Sequence, residues 1–158
     1  MVGLVEDVAH TAGSPFMNAG EAIVLLGCED FRFDGSLYLR RKTGKVAGQV
    51  FKADAKRHAA LCELIVAGIE KGIVNTAHDV SEGGLLWAVA ESVAGHGVGA
   101  TLDNVVHDAA DLFGEAPSMA FVTVKEADLS CLTLMAEEAG VQAVRIGTTG
   151  GDTLPVNN

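Results

Sequence analysis

Ten residues, Thr76-Ala77-His78-Asp79-Val80-Ser81-Glu82-Gly83-Gly84-Leu85, concentrate the polar chemistry of this chain. A histidine, two carboxylates, a serine hydroxyl and two glycines lie between the apolar pair Ile73-Val74 and the apolar run that starts at Leu85. That order predicts a strand, a tight glycine-bearing turn and a helix. Ser81 suits the N-cap, where a hydroxyl accepts from the free N–H groups of the first turn. Gly83 and Gly84 have no Cβ, so another chain or a ligand can approach their backbone closely. A helix N-terminus also attracts anions, phosphate in particular. Asp79, Ser81, Gly83 and Gly84 are therefore the candidate substrate- or phosphate-binding residues. On this reading Gly84→Val spares folding and removes phosphate or nucleotide binding.

The same residue types are ordinary turn and cap formers. Asp79 and Glu82 repel a dianion unless Mg2+ or a basic side chain intervenes. A triad of His78, Asp79 and Ser81 is rejected, because near neighbours on one strand and turn point apart. No nucleophile, general base or metal ligand is assigned.

The stretch His78-Asp79-Val80-Ser81-Glu82-Gly83-Gly84-Leu85, followed by a small-apolar helix reaching Ala90-Glu91, resembles the C-terminal domain of phosphoribosylformylglycinamidine synthase. That domain belongs to the large synthetase part of the purine-pathway amidotransferase. The wider superfamily includes aminoimidazole ribonucleotide synthetase and selenophosphate synthetase, and it shares a looser Asp-x-Ser/Thr-x-Gly turn. Four further segments add to the resemblance by their order. Gly20–Gly27 resembles the strand that opens the family domain, and Gly35-Ser36-Leu37-Tyr38-Leu39 resembles a Gly-Ser-Glu-Tyr-Leu piece, with Leu37 in place of Glu. Leu112-Phe113-Gly114-Glu115 matches another segment, and Gly147–Val156 resembles a closing hairpin. The family carries an Arg where this chain has Met119, which removes a bidentate donor.

The resemblance implies an α+β fold, an α/β sandwich whose mixed sheet carries packed helices and is partly ferredoxin-like. It implies that the complete enzyme uses ATP and Mg2+ to activate a formyl amide oxygen, which ammonia then displaces to give an amidine. None of these cofactors is expected to bind tightly to this chain alone. The implied partners are N-terminal synthetase domains or a homo-oligomer partner, with a glutaminase subunit in the full assembly. Residues 2–8 resemble the last strand of a preceding domain, so residues 1–20 are expected to be a remnant strand and linker and 21–158 a single domain. An unpaired edge there implies association with another chain. The alternatives are a non-catalytic or degenerate docking module, or the matching domain of a sister enzyme such as selenophosphate synthetase.

The bulk properties agree with one folded domain. The chain has 158 residues, half of them hydrophobic, and a net charge of -10. That charge argues against a nucleic-acid surface. No apolar run is long enough to span a membrane, so no membrane role and a cytoplasmic location are expected. Cys28, Cys62 and Cys131 show no metal-binding spacing and are expected to be buried free thiols. The dense basic cluster Arg40, Arg41, Lys42 and Lys45 reads as a solvated turn, with an anion or partner contact as the weaker reading. His96 and His107 read as surface residues.

The elements that must position the central turn follow from periodicity. Strands are predicted at 2–8, 21–27, 73–77, 98–102, 119–124 and 141–146, and Thr11–Gly20 as a loop. Helices are predicted at 54–71, about 82–95, 109–113 and 127–138. In the first of these Leu61, Ile65 and Ile69, flanked by Cys62 and Val66, form the inward face.

Overall fold

A computed structural model describes residues 4, 5, 7–27, 31–103 and 108–157. Its sheet is built around β1 (Glu21–Leu26), in which all six residues are buried. A strand covered on both faces reads as a continuous apolar run, and Ala22-Ile23-Val24-Leu25-Leu26 is such a run. Alternate side chains serve opposite faces. Ala22, Val24 and Leu26 join one core with Leu61, Leu64, Leu132 and Ala136. Ile23 and Leu25 join the other with Leu85, Ala88, Val89 and Phe121.

Among the described residues, five α-helices and five more strands follow. In order they are α1 (Leu37–Thr43), α2 (Ala55–Glu70), β2 (Val74–Asp79), α3 (Gly84–His96), β3 (Ala100–Asp103), α4 (Ala109–Phe113), β4 (Ala120–Lys125), α5 (Leu129–Ala139), β5 (Ala143–Thr149) and β6 (Val156–Asn157). The spatial order is β2-β4-β1-β5-β3-β6. The first five strands pair antiparallel, and β6 lies parallel to β3. The mixed sheet with α2 and α5 on one core and α3 on the other is the expected α+β sandwich.

Several elements differ from expectation. Residues 4, 5, 7 and 8 of the expected first strand form no strand, and Leu4, Val5 and Val8 are exposed. A strand needs a neighbouring strand to satisfy its backbone, and among the described residues Asp7 and Val8 bond only locally, their carbonyls accepting from the His10 amide and the Thr11 hydroxyl. The segment 13–20 is more than a linker. The Gly13 carbonyl accepts from the Ala77 amide, and the Ser14 carbonyl accepts from the Ser92 hydroxyl. Phe16 is fully buried, with its ring 5.9 Å from that of Phe121.

Helix α1 was not expected. Ser36 caps it by accepting from the Leu39 amide, and Gly44 closes it with φ 70°. Arg40, Arg41 and Lys42 occupy its last turn, where cations complement the carbonyl end of the helix. In α2 the buried residues are Leu61, Leu64 and Gly68, while Cys62 and Val66 are exposed. The inward face is therefore rotated from the one expected. Cys131 is also exposed, which corrects the expectation of buried thiols; Cys28 and His107 lie outside the described residues. The closing segment is not a hairpin, because β3 lies between β5 and β6.

A buried carboxylate fastens the end of the sheet nearest the loop. Glu21 accepts from Asn18 Nδ2 at 2.9 Å, Asn75 Nδ2 at 2.7 Å and Thr123 Oγ1 at 2.6 Å. Three elements are thereby tied to the start of β1, and the carboxylate is satisfied without a cation among these contacts.

Phe16→Ala should cost about 3–5 kcal/mol, the range for truncating a buried aromatic side chain. Denaturant unfolding of the 158-residue chain measures this; a cost below about 1 kcal/mol would return residues 13–20 to the status of a linker.

Candidate functional site

The polar stretch is split between a strand end and a turn. β2 runs on to Asp79, beyond the expected end at Ala77, with His78 opposite Phe121 and Asp79 opposite Ala120. The His78 ring stacks on Phe121 with centroids 5.6 Å apart. Its Nδ1–H donates to the Asp79 carbonyl at 2.6 Å, and Nε2 lies 3.4 Å from Glu91 Oε2 on α3. Asp79 points to solvent, with a side chain 75% exposed. These partners fix His78 against the sheet and away from any relay to Ser81.

Ser81 is not the helix cap. α3 begins at Gly84, and its N-cap is Gly83, with φ 96° and no side-chain cap of its own. The cap comes from a distant residue. Glu115 Oε1 accepts from the Gly83 amide at 2.9 Å and from the Leu37 amide, the first residue of α1, also at 2.9 Å. One carboxylate thus terminates two helices, at the end of each where a negative charge is most favourable. The position that a ligand anion would take at the start of α3 is occupied by the protein's own anion. Sequence reasoning placed Glu115 in a recurring segment and missed this role, because a cap 32 residues away leaves no local spacing signal.

Both glycines lie in close contact with other parts of the protein. Gly84 has φ 80°, and a Cβ there would lie 2.8 Å from the carbonyl oxygens of Leu112 and Gly114. A Cβ on Gly83 would meet the Trp87 side chain at 2.9 Å. The close approach expected at these residues is made by the segment that ends α4 and by the first turn of α3. Gly84→Val is therefore a folding variant, and it cannot report on ligand binding.

Asp79, Ser81 and Glu82 do face a cavity, of about 600 Å³. α2 supplies one wall with His58, Leu61, Cys62 and Ile65. The connection into β4 supplies another with Glu115, Ala116, Pro117, Ser118 and Met119. The walls carry four carboxylates, Asp34, Asp79, Glu82 and Glu115, and no Lys or Arg among the described lining residues. Met119 belongs to the core with Val80 and Phe121. Without a cation from elsewhere this cavity repels a phosphate dianion. No group of three His, Cys, Asp or Glu side chains among the described residues converges to hold a metal.

Cations do surround the neighbouring cavity, of about 420 Å³, which shares Phe51, Ala116 and Pro117 with the first. Arg32, Lys52 and Arg57 line it. The Arg32 guanidinium lies 5.7 Å from the Phe51 ring centroid, and Arg57 donates to the Gly27 carbonyl. These three were missed in the sequence because they come from separate segments. Arg40 and Arg41 line a different hollow with Glu82, of about 560 Å³.

Residues 18–155 match the family model described as AIR synthase related protein, C-terminal domain. The chain is 40% identical over 158 residues to the phosphoribosylformylglycinamidine synthase subunit PurL of Thermus thermophilus, covering 99% of this chain and 22% of that protein. It is 34% identical to the corresponding subunit of Sulfurimonas denitrificans, covering 99% of this chain and 21% of that protein. The chain spans about a fifth of the length of these curated relatives. Among solved structures, PurLQS from Thermotoga maritima superposes with a TM-score of 0.74 at 20% identity, covering 93% of this chain and 25% of that one. That likeness shows the fold. No helix among the described residues is long and apolar enough to cross a membrane.

Glu115→Ala should cost about 1–3 kcal/mol, because two amides at helix starts lose a charged acceptor. Ser81→Ala should stay within about 0.5 kcal/mol, since its hydroxyl caps nothing. Thermal or denaturant unfolding of the two variants checks the assignment; the reverse ranking would restore Ser81 as the cap.

Proposed function

The chain belongs to the AIR synthase related protein family, as its C-terminal domain, and we propose that it serves as the C-terminal domain of a phosphoribosylformylglycinamidine synthase. The observation that carries this is the 40% identity to PurL across 99% of the chain, which includes the polar turn and its flanking elements. In the complete enzyme, ATP and Mg2+ would activate the formyl amide oxygen of formylglycinamide ribonucleotide, and ammonia would displace it. Phosphorylation converts a poor leaving group into a good one. No chemical step is assigned to this chain. Its role in the proposal is to shape one wall of the ligand cleft and to present that wall to N-terminal synthetase domains, in a cytoplasmic assembly that includes a glutaminase subunit.

Within that role, Asp79 and Ser81 are the two of the four candidate residues that line the cavity, as contacts for a ligand or for the partner domain. Gly83 and Gly84 act by letting α3, the end of α4 and Glu115 come together. An anionic ligand end is better served by the side lined with Arg32, Lys52 and Arg57 than by the acidic cavity. The residues 21–158 form the proposed domain, with 13–20 packed along it and the preceding residues as the connection.

A docking module without catalytic duty is the second reading. The acidic cavity and the apolar Met119 favour it, since neither holds a phosphate. A homo-oligomer would be one form of such docking. The sister-enzyme reading has less support, because the relatives at 34–40% identity are synthase subunits PurL.

The 158-residue chain, mixed with formylglycinamide ribonucleotide, ATP, Mg2+ and ammonia, should release no ADP above the buffer rate. Adding the N-terminal synthetase domains of a relative should produce turnover. Turnover by the chain alone that tracks it through purification, and is lost in Asp79→Ala, would overturn the proposal.

A further inference from the structure

Beside the acidic turn, the wall of the larger cavity carries three side chains in line. Cys62 Sγ lies 3.7 Å from His58 Nε2, and His58 Nδ1 lies 3.2 Å from Ser118 Oγ. Cys62 and His58 are one helical turn apart on α2, so the helix itself sets their spacing. Ser118 comes from the connection into β4. It is the one non-glycine residue with positive φ among those described, at 59°. Its backbone packs against Gly27, just after β1, where a Cβ would lie 2.4 Å from the Ser118 carbonyl oxygen. Uncommon backbone conformations persist where surrounding packing enforces them. Here the enforced conformation sets a hydroxyl against an imidazole, and the imidazole against a thiol.

From this we propose that Cys62 is a covalent modification site for small disulfides, with His58 as its proton acceptor and Ser118 as the residue that positions His58. A thiol, a base within reach and a third group orienting the base make up the arrangement of an activated nucleophile. If Ser118 Oγ accepts from Nδ1–H, the Nε2 lone pair faces the thiol. As the Cys62 thiol proton passes to Nε2, the sulfur attacks one sulfur of the disulfide. A new S–S bond forms to Cys62, the original S–S bond breaks, and the departing thiolate takes the proton from His58. The products are a mixed disulfide at Cys62 and one free thiol. Since Cys62 lines the cavity, the attached group fills space beside the turn that carries Asp79 and Ser81. The inference rests on the cavity geometry and holds whether or not the ligase reading does.

The molecule supplies its own control. Cys131 on α5 is also exposed, and among the described residues it has no histidine beside it. Oxidised glutathione is the probe, and peptide-mapped mass spectrometry of the 158-residue chain follows both cysteines in one reaction. A positioned base contributes a factor of about 10²–10⁴ in enzymes, and Cys62 should react at least about tenfold faster than Cys131. His58→Gln should bring Cys62 down to the Cys131 rate and leave Cys131 unchanged. Ser118→Gly keeps the backbone conformation, removes the hydroxyl and should lower the ratio. Equal rates in the unmodified chain would overturn the proposal. So would an unchanged ratio in His58→Gln whose circular dichroism matches that of the parent. An unchanged ratio in Ser118→Gly would overturn the positioning role.

Discussion

The Glu115 carboxylate accepts from the Leu37 and Gly83 amides at 2.9 Å each, and the start of α1, the start of α3 and the approach to β4 meet at that point. Two helix N-termini present partial positive charge, and a single anion between them satisfies both. The consequences spread from there. Gly84 must be glycine because its φ is 80° and a Cβ there would lie 2.8 Å from the carbonyl oxygens of Leu112 and Gly114, just before Glu115. The cavity wall formed by Ser81 and Glu82 is set by where that junction places the turn. A phosphate at the start of α3 would have to displace an internal carboxylate.

This changes the meaning of the polar stretch. Its types and spacing resemble an anion site when read locally, and the resemblance of the stretch to a synthase family is real. The physical role of half of it is nonetheless internal. Asp79 and Ser81 reach the cavity, while Gly83 and Gly84 allow backbone to pack on backbone. Arg32, Lys52 and Arg57 line the adjoining cavity instead.

The fold was legible where one element alone carries its signal. β1 announces itself as a buried apolar run, and α5 shows Leu129, Leu132 and Met135 on one side, with Leu132 fully buried. α2 was legible as a helix but not in its rotation, because Leu61, Ile65 and Ile69 repeat at four residues while the buried set is Leu61, Leu64 and Gly68. Small Gly68 meets Val74 closely, and hydrophobicity gives no hint of that contact. Phe16 lay hidden among turn formers, since Gly13, Ser14 and Pro15 describe a loop correctly and say nothing of what the loop carries into the core. Other residues that were not legible have partners distant in sequence. Glu115 caps from 32 and 78 residues away, and His58 meets Ser118 across 60.

Amide hydrogen exchange at Leu37 and Gly83, followed by NMR in the folded chain, tests the shared cap most directly. Both amides should be protected in the parent protein, and both should accelerate together in Glu115→Ala while the amides of β1 and β4 keep their protection. Free-peptide exchange at either amide in the parent, or a response of only one of the two to the substitution, would contradict a single carboxylate holding both helices.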